Sequence, residues 1–462
     1  MAAALSKWIH MVGIAGAGMS GIARVLSEKG FKVSGSDLQT NNITDKLQEL
    51  GIEIYQGHSS SNLKEGVDLL VISSAIPQDN TEVILARKRN IPVIKRGQML
   101  AELFNANKGI AVSGAHGKTT TTSMMCTVLA DCGLDPTFFI GGQFQGNRPG
   151  ARLGTGEYSV AEADESDASF LELNPYIAVV TNIEDDHLDY YQSFENIQKA
   201  FKQFLTQVKP DGFAVVYGDD TCIKKLIPET GTKIITYGEA ESNDYYIKHW
   251  DAKGMGSTFA VYSKGEYLTN IELSVPGKHN ALNSLTTIVL GLEIGLSIEK
   301  IKQALKKFTG TKRRFEIIGK NGNITVVDDY AHHPSEIKAT IDAAKNFHKG
   351  RLVVIFQPHR YTRTKLLGKQ LGEAFARADL VVFTEIYAAG EKSIPGINGR
   401  LVYNAARNAG CNAVYIPVFN KIDEYIIKHI HENDLIITMG AGDIWKTGIS
   451  MLSKIPQSIL EA

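Results

Sequence analysis

The chain has 462 residues, and its 49 lysine and arginine residues nearly balance 50 aspartate and glutamate residues, giving a formal net charge of −1. Near-neutral charge argues against a nucleic-acid binder that depends on counterion release and against a polybasic membrane association. No apolar run approaches the roughly 18 residues that span a bilayer. The four cysteines lack a Cys-x-x-Cys spacing, so neither a structural zinc site nor a disulfide framework is predicted.

A strand pattern begins within about ten residues of the first methionine, which leaves no room for a signal peptide. We therefore expect a soluble, cytoplasmic protein that binds neither nucleic acid nor membrane. The length predicts roughly three domains at about 150 residues each. The sequence gives no indication of the oligomeric state.

The first predicted strand, residues 8–14, runs into a glycine-rich turn and then a helix. The glycines of this turn are Gly16, Gly18 and Gly21. Asp37 ends the next predicted strand, and Ser74 follows a further strand at 69–73. This spacing between a strand and a helix, with an acid about twenty residues on, is typical of sites for nucleotide diphosphates. The alternative is that the glycines serve only helix–strand packing.

The central feature is a short strand at 109–112, a glycine turn, and a Lys118-Thr119 pair where a helix begins. Backbone N–H groups, the positive helix end and a lysine together favour binding of phosphate. The threonine hydroxyl suits Mg²⁺ beside the β- and γ-phosphates. The spacing is short, because the standard motif has glycine where this chain has Val112. A helix capped after a tight turn is the alternative.

Acidic residues follow two later strands of the same predicted domain. Residues 162–167 contain four carboxylates after a strand at 158–161, and 182–189 follow a strand at 177–181 and include His187. A solvated surface loop would explain either string alone. Beside a phosphate loop, the first string more readily supplies a Mg²⁺ ligand. His187 is a candidate for a second cation, although imidazole is an uncommon partner for Mg²⁺.

Beyond a β-rich region at 212–275, Asn280 and Asn283 begin an apolar helix, where their amides would read an adenine edge or cap the helix. A basic connector at 310–316 marks a second domain boundary. Three strand ends then carry polar residues, at 328–334, 357–363 and 440–443. Arginines at such ends suit a bidentate grip on carboxylate or phosphate.

The alternation of strands and helices predicts an α/β chain of three domains. We expect a Rossmann-like N-terminal domain at 1–107, a central P-loop ATPase domain with a mostly parallel sheet at 108–313, and a C-terminal Rossmann-like domain at 314–462.

The chain resembles the ATP-dependent Mur ligases of peptidoglycan assembly. The matching strings occur in the family's order over essentially the whole chain, at 10–21, 114–120, 162–171, 187, 280, 313–316, 328–334 and 359–363. The short phosphate loop is the form that these ligases use. The resemblance implies that the three domains bind a UDP-sugar, ATP and an amino acid, in that order.

The resemblance also implies the activity of an ATP-dependent acid–amino-acid ligase in peptidoglycan precursor synthesis. L-alanine would be joined to the lactyl carboxylate of UDP-N-acetylmuramic acid through an acyl phosphate, giving ADP and inorganic phosphate. ATP and Mg²⁺ would be the cofactors, and the UDP-sugar and L-alanine the small-molecule substrates. Such a phosphoryl step depends mainly on positioning and charge stabilisation.

The resemblance assigns roles to residues at the matching positions. The catalytic residues would be Lys118, His187, His333 and Arg360. ATP would be bound by Gly114, Ala115, His116, Gly117, Lys118, Thr119, Thr120, Asn280, Arg314 and Asp329. Mg²⁺ would be bound by Thr119, Glu162 and His187. The substrates would be bound by Gly18, Met19, Ser20, Gly21, Asp37, Ser74, Tyr330, His333, Arg360 and Arg363.

Four alternatives compete with this assignment. A ligase that recycles murein tripeptide onto the same UDP-sugar carries tyrosine in the acidic loop where this chain has Ser166. Folylpolyglutamate synthases share the central ATPase but lack the N-terminal UDP-binding domain. An NAD-dependent oxidoreductase would explain the first glycines alone and leave Lys118 and Thr119 without a role. A non-catalytic nucleotide-binding regulator predicts slow or absent turnover.

Overall fold

The computed structural model describes residues 8–142, 144 and 149–455. It divides into two compact units. The first contains the chain up to Tyr246 with Ser263–Gly265 and Asn283–Ala304, and the second contains Ile247–Tyr262, Glu266–Leu282 and the chain from Leu305 onward. None of the helices in the described ranges is long and apolar enough to cross a membrane.

The first sheet is five-stranded and wholly parallel, with the order β3-β2-β1-β4-β5. Its elements are β1 (Trp8–Val12), α1 (Ala17–Glu28), β2 (Lys32–Asp37), α2 (Asn42–Gln48), β3 (Glu53–Gln56), β4 (Leu69–Ile72), α3 (Thr81–Lys88), β5 (Val93–Lys95) and α4 (Arg96–Asn105). Val12 pairs with Ile72, so the turn after β1 lies beside the residues that follow β4. The strand order reverses there, which is where open α/β sheets bind ligands.

The part of the second sheet that belongs to this unit has the order β13-β12-β11-β10-β6-β9-β7-β8. Its elements are β6 (Lys108–Ser113), α5 (Lys118–Asp131), β7 (Thr137–Phe139), β8 (Ala151–Arg152), β9 (Tyr158–Glu162), β10 (Ile177–Val180), α6 (Leu188–Tyr191), α7 (Phe194–Thr206), β11 (Phe213–Tyr217), α8 (Thr221–Leu226), β12 (Ile234–Gly238) and the start of β13 (Tyr245–Lys253). Strand β6 lies between β9 and β10 and runs parallel to both. The segments after these three strands therefore meet at one edge of the sheet.

The later elements begin with β14 (Gly256–Ser263), β15 (Glu266–Leu273), α9 (Lys278–Glu293) and α10 (Ile298–Lys307). The last third of the chain contains β16 (Glu316–Asn321), β17 (Ile324–Asp329), α11 (Pro334–Phe347), β18 (Leu352–Phe356), α12 (Tyr361–Glu373), β19 (Leu380–Phe383), α13 (Arg400–Asn408), β20 (Ala413–Tyr415), α14 (Phe419–His429), β21 (Leu435–Met439) and α15 (Trp445–Leu452). Its sheet has the order β16-β17-β21-β18-β19-β20, and only β16 is antiparallel to its neighbour.

Helices cover both faces of this last sheet. Val327, Val354 and Ile437 belong to the core on one face, and their chain neighbours Val326 and Val353 belong to the core on the other. Because both faces are buried, these strands read as continuous apolar runs. In the first unit one core cluster extends from the first sheet into the second, and a smaller cluster that includes Val12, Ile72 and Val83 belongs to the first sheet.

The predicted α/β class with mostly parallel sheets is confirmed. Several strand ends differ from the prediction by one or two residues: β1 stops at Val12, β9 includes Glu162, and β17 continues through Asp328 and Asp329 instead of stopping before them. Both side chains are buried and accept hydrogen bonds, Asp328 from Arg313 and Asp329 from the backbone N–H of Phe315. A buried carboxylate satisfied in this way is compatible with a strand interior.

Candidate active site

The turn after β6 requires glycine at two positions. Gly114 has φ of 132° and Gly117 has φ of 83°, both in the region that favours glycine. A side chain on Gly114 would collide with the hydroxyl of Thr181, and one on Gly117 would lie 2.8 Å from Oδ1 of Asn283. Gly117 is also the N-cap of α5 and has no side chain to occupy the helix end. The start of α5 is therefore suited to bind an anion.

The segment after β10 holds this loop in shape. The backbone N–H of His116 donates to Oδ1 of Asn182 at 2.9 Å, and the hydroxyl of Thr181 donates to the carbonyl of His116 at 2.6 Å. Nε2 of His116 lies 3.3 Å from Oε2 of Glu184. The loop is thus fixed by hydrogen bonds before any ligand binds.

Lys118 folds back over the loop. Its Nζ donates to the carbonyl of Gly114 at 2.6 Å and lies 2.9 Å from both carboxylate oxygens of Glu165. Burial opposes the charge on Lys118, but the carboxylates of Glu165, Asp164 and Glu162 outweigh it and hold its pKa above the usual value. The lysine is therefore a fixed cation at the phosphate loop.

Thr119 and Glu162 form a second pair beside this lysine. The hydroxyl of Thr119 donates to Oε1 of Glu162 at 2.9 Å, and the backbone N–H of Gly141 donates to Oε2 at 2.8 Å. Side chains at Gly141 or Gly142 would press on Glu162 or Thr119. A hydroxyl and a carboxylate oxygen so close together are the ligands that Mg²⁺ prefers, so this donor set fits that ion.

His187 lies at the same edge of the sheet. It has a left-handed backbone with φ of 58°, and its Nε2 is 3.6 Å from Oε1 of Glu165 and 3.6 Å from Oδ2 of Asp186. Glu165 is in turn fixed by Tyr191, whose hydroxyl donates to the Glu165 carbonyl at 2.6 Å. The structure thus brings His187 and Lys118 to the same carboxylate.

The glycine turn of the first sheet is closed by Asp37, whose Oδ2 accepts a hydrogen bond from the N–H of Ala15 at 2.9 Å. Met19 is buried in the apolar core, so its side chain does not face a ligand. Gly21 packs against Ala151, where a Cβ would come within 2.9 Å. Ser74 is exposed beyond the end of β4.

Arg96, the first residue of α4, lies at the glycine turn and was not among the predicted site residues. Its Nη1 lies 3.2 Å from the position that a Cβ on Gly18 would take. Its Nη2 donates to the hydroxyl of Ser169 at 3.4 Å and lies 3.7 Å from Oδ2 of Asp167. A guanidinium at the glycine turn matches the charge of a diphosphate. No spacing rule predicts it, because the contact forms only when α4 packs beside α1.

A cavity of about 330 Å³ lies between α1, α2 and the segments around 140–142 and 149–151. Ser20 and Gly21 line one side, and Gly141 and Gly142 line the other. Gly141 is the residue that donates to Glu162. The cavity therefore extends from α1 to Gly141, whose backbone is bonded to the carboxylate of Glu162.

In the second unit, a series of rings follows the ends of β17 and β18. Tyr330 and His332 have ring centroids 5.4 Å apart, His332 and His359 are 5.6 Å apart, and His359 stacks on Tyr387 at 5.7 Å. Nη1 of Arg363 lies 3.2 Å from Nδ1 of His359. Of these residues, Tyr330 and Arg363 were predicted, and the other rings were not singled out.

His332 shows how burial acts in this cluster. Its Nδ1 lies 3.0 Å from the carbonyl of Tyr330, and burial lowers the pKa of its imidazole to about 3, so the ring is neutral near pH 7. A neutral imidazole between aromatic rings forms an uncharged wall, whereas Arg363 supplies the positive charge nearby.

The remaining predicted residues of this unit have distinct partners. The guanidinium of Arg314 lies over the ring of Tyr330 and donates to Oε1 of Glu336 at 3.2 Å. His333 is the N-cap of α11, and its Nδ1 lies 2.8 Å from the hydroxyl of Ser335. Arg360 has φ of 68°, a conformation that costs about 1–3 kcal/mol and is found mainly where surroundings impose it.

Asn280 lies in the first turn of α9 and is buried. Its amide donates to the carbonyl of Pro276 at 2.7 Å, so one of its two donor hydrogens is directed to its own turn. Its predicted contact with adenine stays a prediction. The same holds for the ligand roles of the other predicted residues.

Three family models match successive parts of the chain. They describe the Mur ligase family catalytic domain at residues 8–108, the Mur ligase middle domain at 112–291, and the glutamate ligase domain of Mur ligases at 313–442. Together they cover most of the chain.

The chain belongs to the Mur ligase family.

Named relatives agree with this assignment. The chain is 60% identical over its whole length to the full-length UDP-N-acetylmuramate–L-alanine ligase of Syntrophomonas wolfei subsp. wolfei. It is 48% identical to the enzyme of that name from Desulforamulus reducens, with 98% of each chain covered.

Solved structures show the same pattern. The UDP-N-acetylmuramate–alanine ligase of Thermotoga maritima has a TM-score of 0.83 at 31% identity, covering 97% of this Mur ligase and 99% of that chain. A murein peptide ligase from Psychrobacter arcticus has a TM-score of 0.72 at 26% identity, covering 97% and 98%. The prediction of a Mur ligase and of an ATP-dependent ligase activity is confirmed. The predicted bounds of the three domains stay predictions.

Proposed function

We propose that this Mur ligase joins L-alanine to the lactyl carboxylate of UDP-N-acetylmuramic acid at the expense of ATP, in the cytoplasm. The observation that carries the proposal is the geometry of the phosphate loop. Lys118 forms a buried ion pair with Glu165, and beside it Thr119 is hydrogen-bonded to Glu162. This loop stands in a chain 60% identical over its full length to a relative named for that reaction.

The reaction has two steps. The lactyl carboxylate attacks the γ-phosphorus of ATP, the bond to the bridging oxygen breaks, ADP leaves, and an acyl phosphate forms. The uncharged amine of L-alanine then attacks the acyl carbon, the bond to the phosphate oxygen breaks, and inorganic phosphate leaves. The nitrogen loses a proton, and the product is an amide.

Residues of the phosphate loop would stabilise the first step. Lys118 supplies a positive charge beside the β- and γ-phosphates, and the start of α5 supplies backbone N–H groups. Thr119 and Glu162 would hold one Mg²⁺ and His187 a second. When bound, Mg²⁺ neutralises charge on the transferred phosphoryl group. Because these groups are positioned in advance, little reorganisation is needed when charge develops.

The first sheet would bind the UDP-sugar. The turn from Gly18 to Gly21 would hold the diphosphate, with Asp37 and Ser74 near the uridine. Arg96 would add a charge-assisted contact to the diphosphate. The cavity that joins Ser20 to Gly141 supports a path for the sugar toward the phosphate loop.

The second unit would supply the amino acid. Arg360 and Arg363 would grip the carboxylate of L-alanine, since a guanidinium binds a carboxylate through two parallel hydrogen bonds. Tyr330 and His333 would complete the site, and Arg314 and Asp329 would contact ATP. The rings of Tyr330, His332 and His359 would form an uncharged wall beside these arginines.

A murein-tripeptide ligase is the nearest alternative. Among solved structures, the alanine ligase has a TM-score of 0.83 at 31% identity, and two murein peptide ligases have TM-scores of 0.72 and 0.62 at 26% and 29% identity. The relatives named for alanine reach 60% identity to this chain. The difference favours alanine.

The test offers purified protein ATP, Mg²⁺ and UDP-N-acetylmuramic acid with L-alanine, L-serine, glycine or a murein tripeptide. Phosphate release and product mass are followed together. We expect the highest kcat/KM with L-alanine and a product heavier than the UDP-sugar by one alanyl residue. Release that requires the tripeptide and ignores L-alanine would show that the proposal is wrong.

A further inference from the structure

Glu82, in the first turn of α3, is fully buried and takes no part in the mechanism above. A carboxylate removed from water is stable only when hydrogen-bond donors replace the water. Burying Glu82 therefore carries a desolvation cost that its hydrogen-bond partners must offset. These partners identify the segments that Glu82 holds together.

Four donors surround the carboxylate. Oε1 accepts from the backbone N–H of Ser59 at 3.0 Å and from Nδ2 of Asn62 at 2.9 Å. Oε2 accepts from the hydroxyl of Ser36 at 2.8 Å and lies 3.0 Å from Nε2 of His10. Each oxygen thus has two partners, which come from β1, β2 and the loop after β3.

The donor in each hydrogen bond of this cluster can be assigned, starting from Trp8. The indole N–H of Trp8 can only donate, and it donates to Oγ of Ser34 at 2.9 Å. Ser34 lies 2.8 Å from Nδ1 of His10 and can donate to it, which leaves the proton of His10 on Nε2, facing Glu82. Burial alone would raise the pKa of Glu82, but the hydrogen bonds from His10, Asn62 and Ser36 lower it, so Glu82 is ionised.

Ser36 connects this cluster to the glycine turn. Its carbonyl accepts hydrogen bonds from the N–H groups of Gly13 at 2.8 Å and Ile14 at 3.1 Å. The next residue, Asp37, accepts from the N–H of Ala15 at 2.9 Å. The end of β2 is therefore bonded to the turn on one side and, through the Ser36 hydroxyl, to Glu82 on the other.

The loop after β3 is held by the same carboxylate. Asn62 donates both to Glu82 and to the carbonyl of Gly57, and the N–H of Gly57 donates to the carbonyl of Asp37 at 2.7 Å. Nδ1 of His58 lies 3.0 Å from Oγ of Ser36. One buried charge thus joins the carboxyl ends of the first three strands.

We propose that Glu82 is a positioning residue for the nucleoside diphosphate part of the substrate. In a parallel sheet of this order, such ligands bind outside the carboxyl ends of the strands, where the order reverses beside β1, and an acid at the end of β2 contacts the ribose. Glu82 is bonded to the segments at the ends of these strands from inside the domain. Because it is fully buried, it touches no ligand itself. The inference rests on the proposed function, which assigns the UDP-sugar to this sheet.

The test variant is Glu82→Gln, which keeps the size of the side chain and removes its charge. The new amide NH₂ faces donors where an oxygen stood, so one side of the cluster must rearrange. We expect the KM for UDP-N-acetylmuramic acid and the Kd for UDP, measured by calorimetry, to rise about tenfold, the equivalent of one or two lost hydrogen bonds. The kcat and the KM for ATP should stay near wild type.

Val83→Ala is the matched control, because Val83 is the next residue of α3 and is buried in the apolar core. It should lower the Tm without changing the affinity for UDP. If Glu82→Gln does not fold, Ser36→Ala removes the single hydroxyl that joins Glu82 to the end of β2. A severalfold rise in both constants is then expected.

The outcomes distinguish a positioning role of Glu82 from a purely structural one. Weaker UDP binding in Glu82→Gln or Ser36→Ala, with normal binding in Val83→Ala, supports the proposal. Unchanged UDP affinity in the variants, or an equal loss in Val83→Ala at a similar Tm, overturns it. A wild-type protein that binds UDP without ligating alanine would instead refute the proposed function, and UDP affinity would still decide the role of Glu82.

Discussion

Replacing Lys118 with alanine should abolish turnover while UDP-sugar binding persists. The lysine is the cation fixed at the phosphate loop, and removing it takes away charge stabilisation in the phosphoryl step. Loss of a single group of this kind lowers the rate by about 10³-fold or more. The assay follows phosphate release at saturating ATP and UDP-sugar, and calorimetry measures UDP binding separately.

The same change should destabilise the protein. The side chains of Lys118 and Glu165 are 14% and 4% exposed, so removing the lysine leaves a buried carboxylate without its cation. Breaking a buried pair in this way costs about 3–5 kcal/mol. A low rate in Lys118→Ala alone would therefore combine a catalytic loss with a folding loss.

The double variant Lys118→Ala/Glu165→Gln separates the two effects. Neutralising Glu165 removes the uncompensated charge, so most of the lost stability should return while turnover stays absent. Recovery of turnover in the double variant would show that Lys118 acts only through folding. Loss of UDP binding in a well-folded Lys118→Ala protein would mean that the assignment of the UDP-sugar to the first sheet is wrong.

Three further predictions concern separate parts of the molecule. Thr119→Val should raise the Mg²⁺ concentration for half-maximal activity about tenfold, and Thr119→Ser should stay near wild type in the same titration, because the hydroxyl is the ligand. Arg96→Ala should raise the KM for the UDP-sugar about tenfold and leave the KM for ATP unchanged, as expected for one charged hydrogen bond; equal rises in both constants would contradict its placement at the glycine turn. Burial raises the pKa of Asp329 from 3.8 to about 6, so the folded state holds this proton more tightly and the free energy of unfolding falls as pH rises between those values. Asp329→Asn should remove this dependence, so its stability relative to wild type should rise by about 3 kcal/mol from about pH 4 to pH 7 in denaturant unfolding; a constant difference would refute the raised pKa.

The parts of the site that lie close together in sequence could be predicted from it. The glycines before Lys118 and Thr119, with a strand before and a helix after, determine the phosphate loop locally. The acidic string after β9 could be placed beside the loop because parallel neighbouring strands end at the same edge. Family membership followed from the order of these strings.

Contacts between distant segments could not be predicted. Arg96 reaches Gly18 only because α4 packs beside α1, and Gly141 reaches Glu162 only because the chain after β7 returns over the loop. Asp329 was expected after its strand, since a carboxylate within an apolar strand looks unfavourable until its donors are known. Glu82 was not singled out, because its donors come from three other elements.

The most direct test of the central claim follows oxygen from the lactyl carboxylate. UDP-N-acetylmuramic acid labelled with oxygen-18 in that carboxylate is incubated with the protein, ATP, Mg²⁺ and L-alanine, and the phosphate and nucleotide products are analysed by mass. The acyl-phosphate route predicts one labelled oxygen in the phosphate and the other in the amide of an alanyl product. Unlabelled phosphate, or no alanyl product, would contradict the account.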